Sequence, residues 1–152
     1  MRTAVLAIVF LCVAVSASAQ TEPAPPGPEA ILETGELMLM VIKPAYDELQ
    51  QAMAMQPADR QQWALLYQKA ARLAEFENLI LFRPHARAAT PEWKTLATNA
   101  RKATTALASD VLKALGGGAT DFAVIRKSYE GVSAACNNCH RTMSREAPSI
   151  KP

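Results

Sequence analysis

The sequence has little net charge and few residues of the reactive kinds. Its 16 Lys and Arg residues nearly balance 14 Asp and Glu residues, which gives a net charge of +2 at pH 7. A chain this close to neutral is not expected to bind nucleic acid, because nucleic-acid-binding surfaces are strongly basic. There are only three cysteines and two histidines, and no acid–base pair or nucleophile triad stands out. The sequence therefore does not predict an enzyme.

The sequence also lacks sustained alternation of apolar and polar residues, the pattern of a β-strand. Instead, four segments carry apolar residues at helical spacing, and short connections join them. This pattern predicts an all-α protein, an antiparallel four-helix bundle in up-down-up-down order. About 130 residues remain after the N-terminal segment, which is enough for one domain with a buried core.

The first 19 residues are predicted to be a cleavable signal peptide. Arg2 supplies a positive charge, residues 4–15 form an apolar run, and Ala17-Ser18-Ala19 fits a cleavage site. The apolar run is too short for a transmembrane helix. We therefore expect export to the periplasm without stable membrane insertion. Cleavage before Gln20 would also remove Cys12.

Residues 20–28 are predicted to be a proline-rich leader. The segment from Thr21 to Pro28 contains four prolines and one glycine. Such a composition cannot enter a helix interior or pack into a core. The four-helix domain is therefore predicted to span residues 29–152.

The first predicted helix runs from Glu29 to about Met55. Pro44 lacks an amide hydrogen and crowds the carbonyl of Met40, so a kink is expected there. The predicted buried stripe consists of Ile31, Met38, Ile42, Ala45 and Leu49.

Local signals mark the ends of the other three helices. The second helix is predicted over about 59–81, where Asp59 and Gln62 resemble a capping box. The third begins at Thr90-Pro91, with threonine as N-cap, and the glycines at 116–118 end it. The fourth begins near Asp121 and continues through the motif described next.

Residues Cys136-Asn137-Asn138-Cys139-His140 form the C-x-x-C-H attachment signature of a c-type haem. Two thiols three residues apart lie on one helical face, where both can add across the vinyl groups of one porphyrin. The histidine that follows can serve as the proximal iron ligand. The two asparagines are spacers that the motif does not restrict. One covalently attached haem c is therefore predicted.

The cysteine pair has two other interpretations. A redox dithiol normally follows a strand in a βαβ unit, and no strand is predicted before Cys136. A zinc site needs two further ligands, and the only other histidine and cysteine are His85 and Cys12. Both interpretations are weaker than haem attachment.

With its motif near the C-terminal end of the last of four helices, the chain resembles the class II c-type cytochromes, the family of cytochrome c prime and its low-spin relatives. The resemblance covers the whole chain after the leader and implies a haem-binding four-helix bundle. A methionine followed by a proline in the first helix, Met38 and Pro44, is similar to the low-spin members. One position departs from the family pattern. Many members carry an aromatic residue and an arginine where this chain has Met143 and Ser144.

The resemblance implies that Met38 is the distal iron ligand. The alternative is that Met38 only fills the core, as methionines on apolar stripes usually do. Met40 points about 200° around the helix and is kept as a second candidate. Ligation by His85 is a weaker alternative.

Other residues are predicted to contact the haem. Tyr129 and Val132 precede Cys136 by one to two turns and are expected to pack on the haem plane, with ordinary core packing as the alternative. Several arginines are candidates for contacts with the haem propionates, because guanidinium groups suit carboxylates. They are Arg83, Arg87, Arg126, Arg141 and Arg145.

The predicted function is that of a periplasmic mono-haem electron carrier with iron ligated by His140 and Met38, serving redox partner proteins that the sequence does not identify. The alternative is a protein with five-coordinate iron that binds nitric oxide or carbon monoxide, as cytochrome c prime does. A homodimer remains open, since dimers form in this family, although the outward helix faces show no clear apolar seam. Whether Met38 ligates iron separates the two functions.

Overall fold

The computed structural model describes residues 29–83, 90–118, 121–144 and 146–152. These residues form four helices and no β-strand, so the all-α prediction is confirmed. The predicted signal peptide, the proline-rich leader and His85 lie outside the described residues. No helix in the described part of the chain is both long enough and apolar enough to cross a membrane.

The first helix, α1, has three consecutive parts: an α-helical turn Thr34–Leu37, a π-helical segment Met38–Ile42 and an α-helix Lys43–Met53. In the π-helical segment, the amide of Lys43 donates to the carbonyl of Met38, five residues back. The following residue, Pro44, has no amide hydrogen to donate. The interruption expected at Pro44 therefore takes the form of a wide helical turn directly before it.

The π-helical segment changes which side chains of α1 are buried. Its extra residue shifts the face of the preceding turn by one position, so Leu37 is only 1% exposed. Ile31 is 93% exposed and lies before the helix. The predicted stripe is therefore wrong at Ile31, whereas Ala45 and Leu49 are buried as predicted.

The predicted start of α1 at Glu29 is also wrong. The helix begins at Thr34, after Glu33 as the N-cap residue. The amide of Glu33 donates to the Glu36 carboxylate over 2.9 Å. This capping box places the helix start, and periodicity alone did not reveal it.

The second helix, α2, runs over Arg60–Asn78 and continues as a 3₁₀ helix Leu79–Phe82. Asp59 caps it by accepting from the amide of Gln62 over 2.8 Å. The Gln62 side chain accepts from the amide of Ala58 over 3.0 Å, one residue before the partner in a standard capping box. The predicted N-terminus is thus correct, with a shifted second hydrogen bond.

The third helix, α3, runs over Pro91–Leu115. The Thr90 hydroxyl accepts from the amide of Trp93 over 3.2 Å, as expected of an N-cap. At the other end, Gly117 has a φ of +83°, and the amide of Gly118 donates to the carbonyl of Lys113 over 2.9 Å. This is a Schellman ending, so the glycines stop the helix as predicted.

The fourth helix, α4, runs over Phe122–Met143 and carries the C-x-x-C-H motif in its last turns. Asp121 caps it by accepting from the amide of Ala123 over 2.9 Å. After the helix, the described residues 146–152 have no helical structure.

Helices that are adjacent in the chain pack on one another, which is compatible with a helical bundle. The main core lies between all four helices and includes Leu49, Leu66, Leu73, Leu107, Val111, Ile125 and Val132. A second, smaller cluster consists of Leu37, Ile80, Trp93 and Ala97, with Met38 and Met143 packed against it. The second cluster lies beside the C-x-x-C-H motif and forms part of the site described below.

Candidate functional site

A cavity of about 950 Å³ lies between the helices and the C-terminal residues. Its size is at the upper end of the range of about 300–1,000 Å³ that is usual for ligand and cofactor pockets. Met38 reaches it from α1, and Cys136, Cys139 and His140 reach it from α4. The structure thus brings together four side chains that sequence reasoning assigned to one haem.

Apolar side chains from the helices form much of the cavity wall, which suits a porphyrin. They include Ile42 of α1, Leu73 of α2, Ile80 of the 3₁₀ helix that continues α2, and Trp93 and Ala97 of α3. A largely apolar wall of this kind is typical of cofactor pockets. Two thiols and an imidazole from α4 and a thioether from α1 are also the donor set of a His/Met-ligated haem. The residues present therefore fit this group.

The two methionines considered as distal ligands have different environments. Met38 is half-buried and lines the cavity. Met40 is 63% exposed and is not among the residues that line the cavity. Helical geometry had already placed the two side chains on different faces, and the structure agrees. Iron ligation by Met38 remains a prediction.

Burial makes the two thiols of the motif poor acids. Removal from water raises the pKa of Cys136 to about 12, and the nearby Glu77 and Cys139 add to the rise. Burial also raises the pKa of Cys139. Both cysteines are free in the structure. A redox dithiol needs a stabilised thiolate, so these environments do not favour that interpretation.

The backbone carbonyl of Pro148 lies 3.1 Å from Nδ1 of His140. The C-terminal residues that bring it there are held by Asn137. The Asn137 amide donates to the carbonyl of Ile150 over 2.7 Å, and its oxygen accepts from the amide of Ile150 over 2.7 Å. Sequence reasoning treated Asn137 as a spacer and missed this role, because nothing in the sequence indicates which backbone the amide meets.

Glu77 is a buried carboxyl group on the cavity wall that sequence reasoning also missed. It is 1% exposed, and one of its oxygens, Oε2, has no hydrogen-bond partner among the described residues. Burial raises the pKa of Glu77 to about 7, against the opposing effects of Thr104 and the Arg101 charge. Its position four residues after Leu73 and three before Ile80, on an apolar face at helical spacing, was the signal that could have found it.

The two residues predicted to pack on the haem plane lie in the main core. Tyr129 and Val132 are both buried there, and neither lines the cavity. Tyr129 stacks on Tyr46, with ring centroids 5.8 Å apart, and it is Tyr46 that reaches the cavity wall. The structure therefore places Tyr129 behind another ring, and its contact with haem remains a prediction.

The arginines proposed as propionate partners do not line the cavity where the structure describes them. Arg126 lies over the ring of Phe122, with the guanidinium carbon 5.6 Å from the ring centroid. Arg83 donates to the carbonyl of Leu79 over 2.8 Å, and Arg141 is exposed. Among the described residues, the lysines that line the cavity are Lys43 and Lys151. Arg87 and Arg145 lie outside the described residues.

Cys136 and Cys139 of α4 would attach a planar cofactor, and His140 of α4 and Met38 of α1 would supply ligands to its metal. Within the described ranges, no group of three or more His, Cys, Asp and Glu side chains is placed to hold a metal ion. A zinc site at Cys136 and Cys139 would thus need ligands from other parts of the chain. No protein-family model, curated protein or solved structure matches the chain.

Proposed function

We propose that the protein is a class II c-type cytochrome that carries electrons, with one haem attached to Cys136 and Cys139 and iron ligated by His140 and Met38. One observation carries the proposal. The motif at the end of α4 and Met38 of α1, far apart in the sequence, line the same cavity of cofactor size.

The haem would supply the redox chemistry, since its iron cycles between the ferric and ferrous forms. The protein's own residues would determine the position of the haem and its reduction potential. The two cysteines would fix the porphyrin to α4, and the imidazole of His140 would ligate its iron. The thioether of Met38 would favour the ferrous form, which would raise the reduction potential relative to two histidine ligands. The apolar side chains of the cavity wall would limit the access of water to the iron.

The antiparallel up-down-up-down order of the helices and export to the periplasm by a signal peptide belong to the same proposal. So does a role in electron transfer to partner proteins rather than in catalysis. Exposed apolar side chains such as Leu39 and Met40 lie on the π-helical segment next to Met38. Partner proteins would meet the haem where its edge approaches the surface.

The test is the visible spectrum of the mature protein in its oxidised and reduced forms. Haem that stays with the chain in a denaturing gel, together with a low-spin ferric spectrum, supports the proposal. A haem that acid-acetone extracts contradicts covalent attachment. A covalent haem that is high-spin in the native protein would instead assign the protein to gas binding.

A further inference from the structure

The last residues of the chain cross the motif-bearing end of α4 and contact α1. We call residues 147–152 the C-terminal strap; its residues 147–151 line the cavity. The Tyr46 hydroxyl donates to the carbonyl of Lys151 over 2.8 Å, and the Gln50 amide donates to the same oxygen over 3.1 Å. The strap is therefore fixed to α1 at its far end.

Asn137 fixes the middle of the strap to α4. Its side-chain amide forms two hydrogen bonds of 2.7 Å with the backbone of Ile150, one in each direction. Because a carboxamide carries both a donor and an acceptor, it can satisfy the amide and the carbonyl of one residue together. The amide and the carbonyl of Ile150 are thereby both bonded to one side chain, that of Asn137.

The strap in turn determines the hydrogen bond of His140. The Pro148 carbonyl, two residues before Ile150, lies 3.1 Å from Nδ1 of His140. A carbonyl can only accept, so Nδ1 carries the hydrogen, and the free lone pair is on Nε2. Nε2 is then the nitrogen available to a metal, and its basicity rises because its partner nitrogen donates a hydrogen bond.

We propose that Asn137 is a positioning residue that holds the Pro148 carbonyl against His140 and thereby strengthens His140 as an iron ligand. The inference rests on the proposed function, since it concerns the ligand to a haem. Asn137 and His140 are three residues apart and share a face of α4, so one strap can meet both side chains. Stronger donation by the imidazole favours ferric iron, so this contact lowers the reduction potential.

The test compares Asn137→Ala with Asn138→Ala in the haem-loaded protein. Asn138 is the other spacer of the motif, and its side chain is exposed. At a fixed potential, Asn137→Ala is expected to raise the ferrous-to-ferric ratio about threefold to tenfold, the range that the net contribution of one hydrogen bond gives. Asn138→Ala should leave the ratio unchanged. Equal ratios in Asn137→Ala and the unsubstituted protein would overturn the inference.

A second pair of measurements tests whether the strap transmits the effect of Asn137 to His140. Ile150→Pro removes the amide that donates to Asn137, so it should raise the ratio in the same direction. Combining Ile150→Pro with Asn137→Ala should add little to Asn137→Ala alone, because both release the same strap. The iron–histidine stretching frequency should fall in each variant when it is measured in the ferrous form with Met38→Ala also present, because this mode is read in iron that has lost its sixth ligand. Fully additive effects, or an unchanged frequency, would contradict the strap as the route.

The unsubstituted protein provides a test that does not depend on variants folding. The ¹⁵N chemical shift of Nδ1 of His140 in the reduced haem-loaded protein should be that of a protonated, hydrogen-bonded ring nitrogen, since Nδ1 lies 3.1 Å from the Pro148 carbonyl. A shift typical of a ring nitrogen without a hydrogen bond would overturn the inference while leaving haem attachment and electron transfer in place. Absence of covalent haem would instead overturn the proposed function, so the two failures are distinguishable.

Discussion

The hydroxyl of Tyr46 in α1 lies 2.6 Å from the hydroxyl of Ser133 in α4. Tyr46 uses its own hydrogen for the carbonyl of Lys151, so Ser133 is the donor to Tyr46. Ser133 is one turn before Cys136, and burial raises the pKa of Tyr46. One protonated hydroxyl thus joins the first helix, the last helix and the strap beside the cavity.

Replacing Tyr46 with phenylalanine should remove the hydrogen bonds that join the first helix, the last helix and the strap while keeping the aromatic ring. The variant loses two hydrogen bonds, each with a net value of about 1 kcal/mol, so we expect the free energy of unfolding to fall by about 1–2 kcal/mol. Urea denaturation of the haem-loaded protein measures this change.

Tyr67→Phe is the matched control for this substitution. Tyr67 is half-buried against the main core, and its hydroxyl makes no hydrogen bond within the described part of the chain. Its loss should change the free energy of unfolding by less than about 0.5 kcal/mol. Equal losses in the two variants would mean that the Tyr46 hydroxyl contributes nothing specific.

Glu77 should make the stability of the protein depend on pH. Burial raises its pKa from 4.5 to about 7 in the folded protein, so between those values the folded state binds more protons than the unfolded state. The free energy of unfolding should therefore fall as the pH rises through this window, by up to about 3 kcal/mol. Glu77→Gln should remove that slope and be more stable than the unsubstituted protein above pH 7.

Denaturation curves at several pH values between 4 and about 8 would measure this slope. Glu75→Gln is the control, because Glu75 lies on the same helix and is exposed. It should keep the pH dependence of the unsubstituted protein. A slope that survives Glu77→Gln would place the proton uptake on another group.

At the end of α3, Gly117 should be harder to replace than Gly116. Its φ of +83° is a conformation that residues with a Cβ rarely adopt. Gly117→Ala is therefore expected to lower the free energy of unfolding by about 1–2 kcal/mol. Gly116→Ala is the control, since an added Cβ there meets only the backbone of α3 at 3.5 Å, an ordinary contact. Thermal denaturation that ranks the two alanine variants equally would contradict the Schellman ending.

The ends of α2, α3 and α4 could be predicted because their signals are local. Asp59, Thr90 and Asp121 each accept a hydrogen bond from an amide of their own first turn. A cap of this kind depends on residues two or three positions away, and a sequence displays them. The same reasoning applies to the glycines after α3.

The face of α1 could not be predicted in the same way. A regular period of 3.6 residues places Ile31 and Leu49 on one stripe, but the π-helical segment inserts a residue and buries Leu37 instead. Glu77 and Asn137 were missed for a different reason. Their roles come from a cavity and a strap that form only when distant parts of the chain meet.

Met38 determines which function the cavity supports. If its sulfur ligates the iron, the ferric protein should be low-spin and show a weak sulfur-to-iron band at the red end of its spectrum. Met38→Ala should remove this band and convert the iron to a high-spin or water-bound form. The reduction potential should fall by on the order of 0.1 V, since axial ligands set potentials over a span of about 0.8 V. Carbon monoxide should then bind the ferrous form.

Met40→Ala is the matched control, because Met40 is on the same π-helical segment but 63% exposed and outside the cavity lining. It should leave the spectrum, the potential and carbon monoxide binding unchanged. A low-spin protein that is insensitive to Met38→Ala and sensitive to Met40→Ala or His85→Ala would keep electron transfer but reject Met38 as the ligand. A ferric protein that is high-spin before any substitution would mean that Met38 only lines the cavity, and that the open iron position is available to a gas.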